Sequence, residues 1–104
     1  MVVKWLPDAK RDLKAIFDFY LEMAGRRIAE RIRLQIKEDV DRLVYNPKIA
    51  PVEPLLSGFK RTYRSLLSGK NCKIVHCIDG RTVYIIAVWD CRQEPDKLKG
   101  KVVK

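Results

Sequence analysis

Cys72-Lys73-Ile74-Val75-His76-Cys77-Ile78-Asp79-Gly80-Arg81-Thr82-Val83-Tyr84-Ile85-Ile86-Ala87-Val88-Trp89 reads as two β-rich runs joined at Asp79-Gly80. A type I′ turn needs positive φ at both central positions, which glycine accepts freely, so this stretch predicts an antiparallel hairpin. In its second arm Val83, Ile85, Ala87 and Trp89 alternate with Tyr84, Ile86 and Val88. Neither set is polar, so both faces should be covered and this arm should be a central strand. Just upstream, residues 61–67 read as another strand, with Ser68-Gly69 as the turn into Cys72.

Toward the N-terminus, residues 2–6 are β-branched and aromatic and end at Pro7, which predicts a short first strand. Asp8 is placed to cap a helix in which Ala9, Leu13, Ile16, Phe17 and Tyr20 recur three or four apart. That helix should stop near Ala24-Gly25. A second stripe of Ala29, Ile32, Ile36, Val40 and Leu43 runs from about Arg26 until Asn46-Pro47 breaks it. Phe17, Tyr20, Ile32 and Ile36 are core by this spacing, and one edge of the helical hairpin is left for a partner segment or a second protomer. Pro47, Pro51 and Pro54 make residues 46–58 a connecting loop. Residues 93–104 read as a basic tail with a helical turn after Pro95. The order is β-α-α-β-β-β, an α+β fold with an N-terminal strand and helical hairpin packed on a twisted, mainly antiparallel sheet. At 104 residues the chain suits one domain over 1–104.

The net charge of +9 is divided unevenly. Residues 1–46 carry +2 and residues 47–104 carry +7, so a surface that attracts anions belongs to the second half. Nucleic acid or an acidic protein partner fits that charge, and an acidic ligand-repelling surface is excluded. Cysteines at 72, 77 and 91 are odd in number and lack a CxxC pair, which suits a reducing cytoplasm and argues against a stapled secreted domain. The apolar run at 83–89 is too short to span a bilayer, so no membrane association is expected. No cofactor and no metal site is expected: Cys72 and Cys77 should point to opposite faces of one strand, which does not converge on a zinc ion with His76 and Cys91. His76 shares a face with Cys72, Ile74 and Ile78 and should be a packed, hydrogen-bonded core histidine. Tyr84 and Trp89 should pack in the core.

The order of elements and several motifs resemble the RelE/ParE superfamily of bacterial toxins from type II toxin-antitoxin pairs. The resemblance rests on Trp5, Ala9, Leu13 and Ile16, on Leu43 and Pro47, and on Tyr63-Arg64-Ser65-Leu66. It continues through Cys72-Lys73-Ile74-Val75, Ile78-Asp79-Gly80, Val83-Tyr84-Ile85 and Trp89-Asp90-Cys91-Arg92-Gln93-Glu94-Pro95. It implies a small cytoplasmic toxin neutralised by a cognate antitoxin, as a toxin-antitoxin hetero-oligomer or with a homodimer. Two activities occur among such toxins: the first expectation is ribosome-dependent cleavage of messenger RNA, as in RelE-like members, and the alternative is poisoning of DNA gyrase without nuclease chemistry, as in ParE-like members. A third reading is a non-toxic basic adaptor that binds nucleic acid.

By the RelE-like pattern, Arg64 and Arg92 would clamp the scissile phosphate as catalytic residues and Lys73 would shield charge or move a proton. Lys60, Arg61 and Tyr63 would hold the flanking nucleic acid. Cleavage by a 2′-hydroxyl also needs a base and an acid. The pattern often supplies a Tyr or His after the last strand, and residues 93–104 contain neither.

Overall fold

The computed structural model describes residues 1–90. Cys91, Arg92 and the tail after Pro95, for which a helical turn was expected, lie outside the described residues. The elements are β1 (Val2–Trp5), α1 (Pro7–Ala24), α2 (Arg26–Tyr45), a 3₁₀ turn at Pro54–Leu56, β2 (Arg64–Ser68), β3 (Cys72–Asp79) and β4 (Thr82–Asp90). This is the predicted order and the predicted α+β class.

Helix α1 starts two residues earlier than the capping argument places it. Leu6 is the N-cap and Pro7 takes the first turn, where its missing N–H costs nothing. Asp8 therefore sits inside the helix, pairing with Arg11 and facing the positive end of the dipole. The two helices are joined by Gly25 alone, at φ +91°, a backbone conformation that side-chain-bearing residues avoid. Its N–H donates to Leu21 O at 3.2 Å and its carbonyl accepts from Ala29 N–H at 3.1 Å, so one residue ends one helix and begins the next.

The sheet order is β1-β4-β3-β2, with β1 parallel to β4 and the other pairs antiparallel. β4 is central, as its composition predicts. The hairpin turn is shifted by one residue from the expected one: Asp79 pairs with Thr82, leaving Gly80-Arg81 as the loop. Only Gly80 has positive φ, +60°, so the turn has the II′ pattern rather than I′. The strict alternation expected along β4 also fails. Val75 pairs with Ala87 but His76 pairs with Ile85, so Ile86 is an extra residue in a bulge. Val83, Ile85 and Val88 face the helices, while Ile86, Ala87 and Trp89 pack on the other side.

Each face has its own core. On the helix side Ala9, Ile36, Val40 and Leu43 pack against Ile74, Val83, Ile85 and Val88. Full burial of one such aliphatic side chain contributes about 1.5–3 kcal/mol. Asp12 of α1 accepts the Val88 N–H at 3.0 Å and ties helix to sheet. Phe17 and Tyr20, expected in the core, are half-buried at its margin. Phe17 lies beneath the Arg33 guanidinium, 5.7 Å from the ring centre. On the opposite face Leu56 covers Val75, Ala87 and Trp89, with Leu55, Phe59 and Tyr63 beside it. The proline-rich segment is thus a second layer over the sheet, where a simple crossing loop was expected. Among the described residues no helix is long and apolar enough to cross a membrane.

Candidate functional site

Strand β2 begins late, at Arg64, because residues 51–65 first fold back on themselves. Glu53 N–H donates to Tyr63 O at 2.8 Å and Ser65 N–H to Pro51 O at 3.1 Å, with a bridge between Val52 and Arg64. Two side chains fasten the preceding residues: Arg64 Nη1 donates to Ala50 O at 2.8 Å, and His76 Nε2 lies 3.2 Å from Pro47 O. Two of these carbonyls, those of Pro47 and Pro51, come from residues with no N–H donor of their own. The result brings Lys48, Arg61, Thr62 and Arg64 around one shallow cavity of about 310 Å³, walled by Cys77 and Ile78.

Arg61 and Arg64 are therefore gathered at one sheet edge. Arg61 Nη1 lies 3.6 Å from Asp79 Oδ2, and both side chains are mostly exposed, at 58% and 62%. Such a pair is weak, so the guanidinium is accessible to an outside anion. Lys60 is exposed just before it. Tyr63 packs edge-on against Phe59 at 6.2 Å on the face away from the helices. Burial pushes its phenol above the ordinary value, with a smaller upward contribution from Cys77 and a downward one from Arg61.

Lys73 is not part of this edge. In the register Arg64 pairs with His76 and Leu67 with Lys73, so Arg64 and Lys73 extend from opposite faces. The ammonium of Lys73 is 2.7 Å from Glu53 Oε1, and the Glu53 side chain is completely buried. That carboxylate requires its counter-charge, which commits Lys73 to the fold. The expected support of an Arg64 phosphate clamp by Lys73, shielding charge or moving a proton, is therefore not assembled, because strand alternation separates the two and a buried carboxylate holds Lys73. Arg92, the other arm of the expected clamp, lies outside the described residues.

His76 is fully buried, with Nδ1 3.4 Å from Ile74 O and Nε2 3.2 Å from Pro47 O. Burial lowers its pKa below 6.5, partly offset by these two carbonyls and reinforced by Arg64. A neutral imidazole has a single N–H and donates to only one of these two carbonyls. Cys72 faces the helices and Cys77 the opposite side, as alternation predicts. Burial raises the Cys77 thiol pKa, with Arg61 offsetting part of the rise. Among the described residues no group of three or more His, Cys, Asp or Glu is placed to hold a metal ion. Trp89 is buried as expected, but Tyr84 is only half-buried. With Leu6, Arg61, Tyr63 and Ile86 it lines an open groove of about 580 Å³.

Two residues of this region escaped sequence reasoning. Lys48 and Glu53 sit in the proline-rich stretch, where the prolines drew the reading and the charges did not. A signal was present for Glu53: it is the lone acid within Ala50-Pro51-Val52-Glu53-Pro54-Leu55-Leu56. An acid in so apolar and stiff a segment needs a cationic partner, which the fold supplies as the partly exposed Lys73.

Residues 3–95 match the family described as the ParE toxin of a type II toxin-antitoxin system, parDE. Among solved structures, the fold is similar to a chain of the chromosomal ParDE TA system from P. aeruginosa. The two share 25% identity at a TM-score of 0.73, over 86% of this chain and 95% of that one. No curated protein matches the sequence significantly. A strand, a one-glycine helical hairpin and three antiparallel strands, together with a family match spanning nearly the whole sequence, lead to one conclusion: the chain belongs to the ParE toxin family of type II toxin-antitoxin systems.

Proposed function

We propose that this toxin acts on DNA gyrase and does not cleave messenger RNA. The observation that carries the reading is the Lys73–Glu53 ion pair. It removes from the sheet edge the cation that phosphodiester cleavage would use, and leaves Arg64 on the other face. Arg61, Arg64 and Lys48 can bind an anion, but binding alone does not deprotonate a 2′-hydroxyl or protonate a leaving oxygen. Arginine stays protonated and is a poor base. His76 is sealed in the core and Tyr63 holds its proton more tightly than usual. The family's ParE description agrees with this reading.

The second half of the proposal is a cognate antitoxin. The related P. aeruginosa structure is that of a ParDE toxin-antitoxin system, and the charge of +9 suits an acidic neutralising segment. Lys48, Lys60, Arg61, Tyr63 and Arg64 form the surface such a segment would cover. The discriminating experiment induces the chain without antitoxin, follows DNA breaks and message integrity together, and assays purified gyrase for supercoiling. Supercoiling is expected to fall, with DNA breaks and intact messages. Cleaved messages with intact DNA would reject the gyrase reading.

A further inference from the structure

Between the helical hairpin and the β2–β3 turn lies a cavity of about 390 Å³ that belongs neither to the basic edge nor to the groove beside Tyr84. Its floor is apolar, formed by Ile32 and Ile36 of α2 and by Cys72 at the start of β3. Ser68 stands at one end. It is only 4% exposed, and its Oγ has no hydrogen-bond partner among the described residues. Buried hydroxyls are almost always hydrogen-bonded, so an unpartnered one in a cavity wall marks a place where a ligand atom belongs. The register puts Ser68 opposite Cys72 and on the same face as Leu66, so its side chain points toward the helices and into this cavity.

Charge narrows the ligand. Arg31 and Lys70, both exposed, stand among the lining residues, and among the described residues no Asp or Glu lines the cavity. Its volume is at the lower end of the range for small-molecule sites, about 300–1,000 Å³. We propose that this cavity binds a small carboxylate with an apolar body. The hydrocarbon lies on Ile32, Ile36 and Cys72, and the carboxylate accepts the Ser68 hydroxyl proton in a hydrogen bond under the charges of Arg31 and Lys70. A compact polyanion would leave the apolar floor unused. A neutral hydrocarbon would leave Ser68 without a partner.

The probe is octanoate, titrated into the full chain and followed by amide resonances, with octanol as the neutral comparator. Saturable shifts are expected at Ile32, Ile36, Ser68 and Cys72, with octanol weaker by about tenfold or more. Ser68→Ala should weaken octanoate by about tenfold, and Lys70→Glu by a similar factor. Lys70 is exposed on the turn, so its variant keeps the test valid if the Ser68 variant does not fold. Non-saturable shifts, equal binding of octanol, or full affinity in Lys70→Glu would overturn the proposal. So would shifts confined to Lys48, Arg61 and Arg64, which would place the anion on the basic edge.

Discussion

Two ion pairs flank strand β3, and they have opposite consequences. At one end Lys73 meets Glu53 at 2.7 Å, with the carboxylate wholly removed from water. At the other end Arg61 approaches Asp79 at 3.6 Å, with both side chains more than half exposed. Lys73 and Asp79 project from the same face of the same strand. What separates them is cover: the segment containing Pro54–Leu56 packs over the middle of that face and leaves the Asp79 end open. A cation beneath the cover is part of the fold. One beyond it can meet a partner.

The largest expected effect comes from breaking the covered pair. Lys73→Met leaves the Glu53 carboxylate buried without its counter-charge and should cost about 3–5 kcal/mol, read from urea unfolding. Pairing it with Glu53→Leu should recover most of that loss. A cost below about 1 kcal/mol for the single variant would mean that Lys73 is not committed to Glu53, and the contrast between the two ends would collapse. Next is Arg64→Ala, which removes a charged donor from Ala50 O and should cost about 1.5–3 kcal/mol in the same assay. No loss would show that the segment holds its place without Arg64.

His76 gives a pH test of the same segment. Its folded pKa lies below 6.5, so between that lowered value and 6.5 the unfolded chain binds the extra proton. The contribution is complete above about pH 6.5 and is lost as pH falls toward the folded value. His76→Gln should flatten this part of the stability-pH curve. An unchanged slope would assign the acid sensitivity elsewhere. The smallest expected effect is at the open end: Arg61→Ala should change stability by less than about 1 kcal/mol, while weakening capture by an acidic antitoxin segment in a salt-dependent way. A large loss of stability would move Arg61 from the binding surface to the framework.

Much of this architecture could be read from residue order. The stripes from Ala9 to Tyr20 and from Ala29 to Leu43 announced the helical hairpin, and the apolar run at 83–89 announced a central strand. Two departures within the sheet share one origin. Asp79-Gly80 suggested a I′ turn, but strand register moved the loop to Gly80-Arg81. Simple alternation put Ala87 with Val83 and Ile85, but the extra residue Ile86 reversed the faces beyond it. Register and bulges depend on the neighbouring strand, which a single strand's composition does not describe.

Composition showed the candidate site only as a surplus of charge, and the family resemblance added Lys60, Arg61, Tyr63 and Arg64 by position. Periodicity and turn chemistry act over a few residues, so the linear chain determined its elements, their order, its family and the half of the molecule that carries the cations. Only tertiary structure decided which cations share a surface. Lys48 reaches Arg64 and Glu53 reaches Lys73 across 16 and 20 positions of sequence. Those meetings depend on how a proline-stiffened segment crosses the sheet, and on the high cost of burying a carboxylate without a partner.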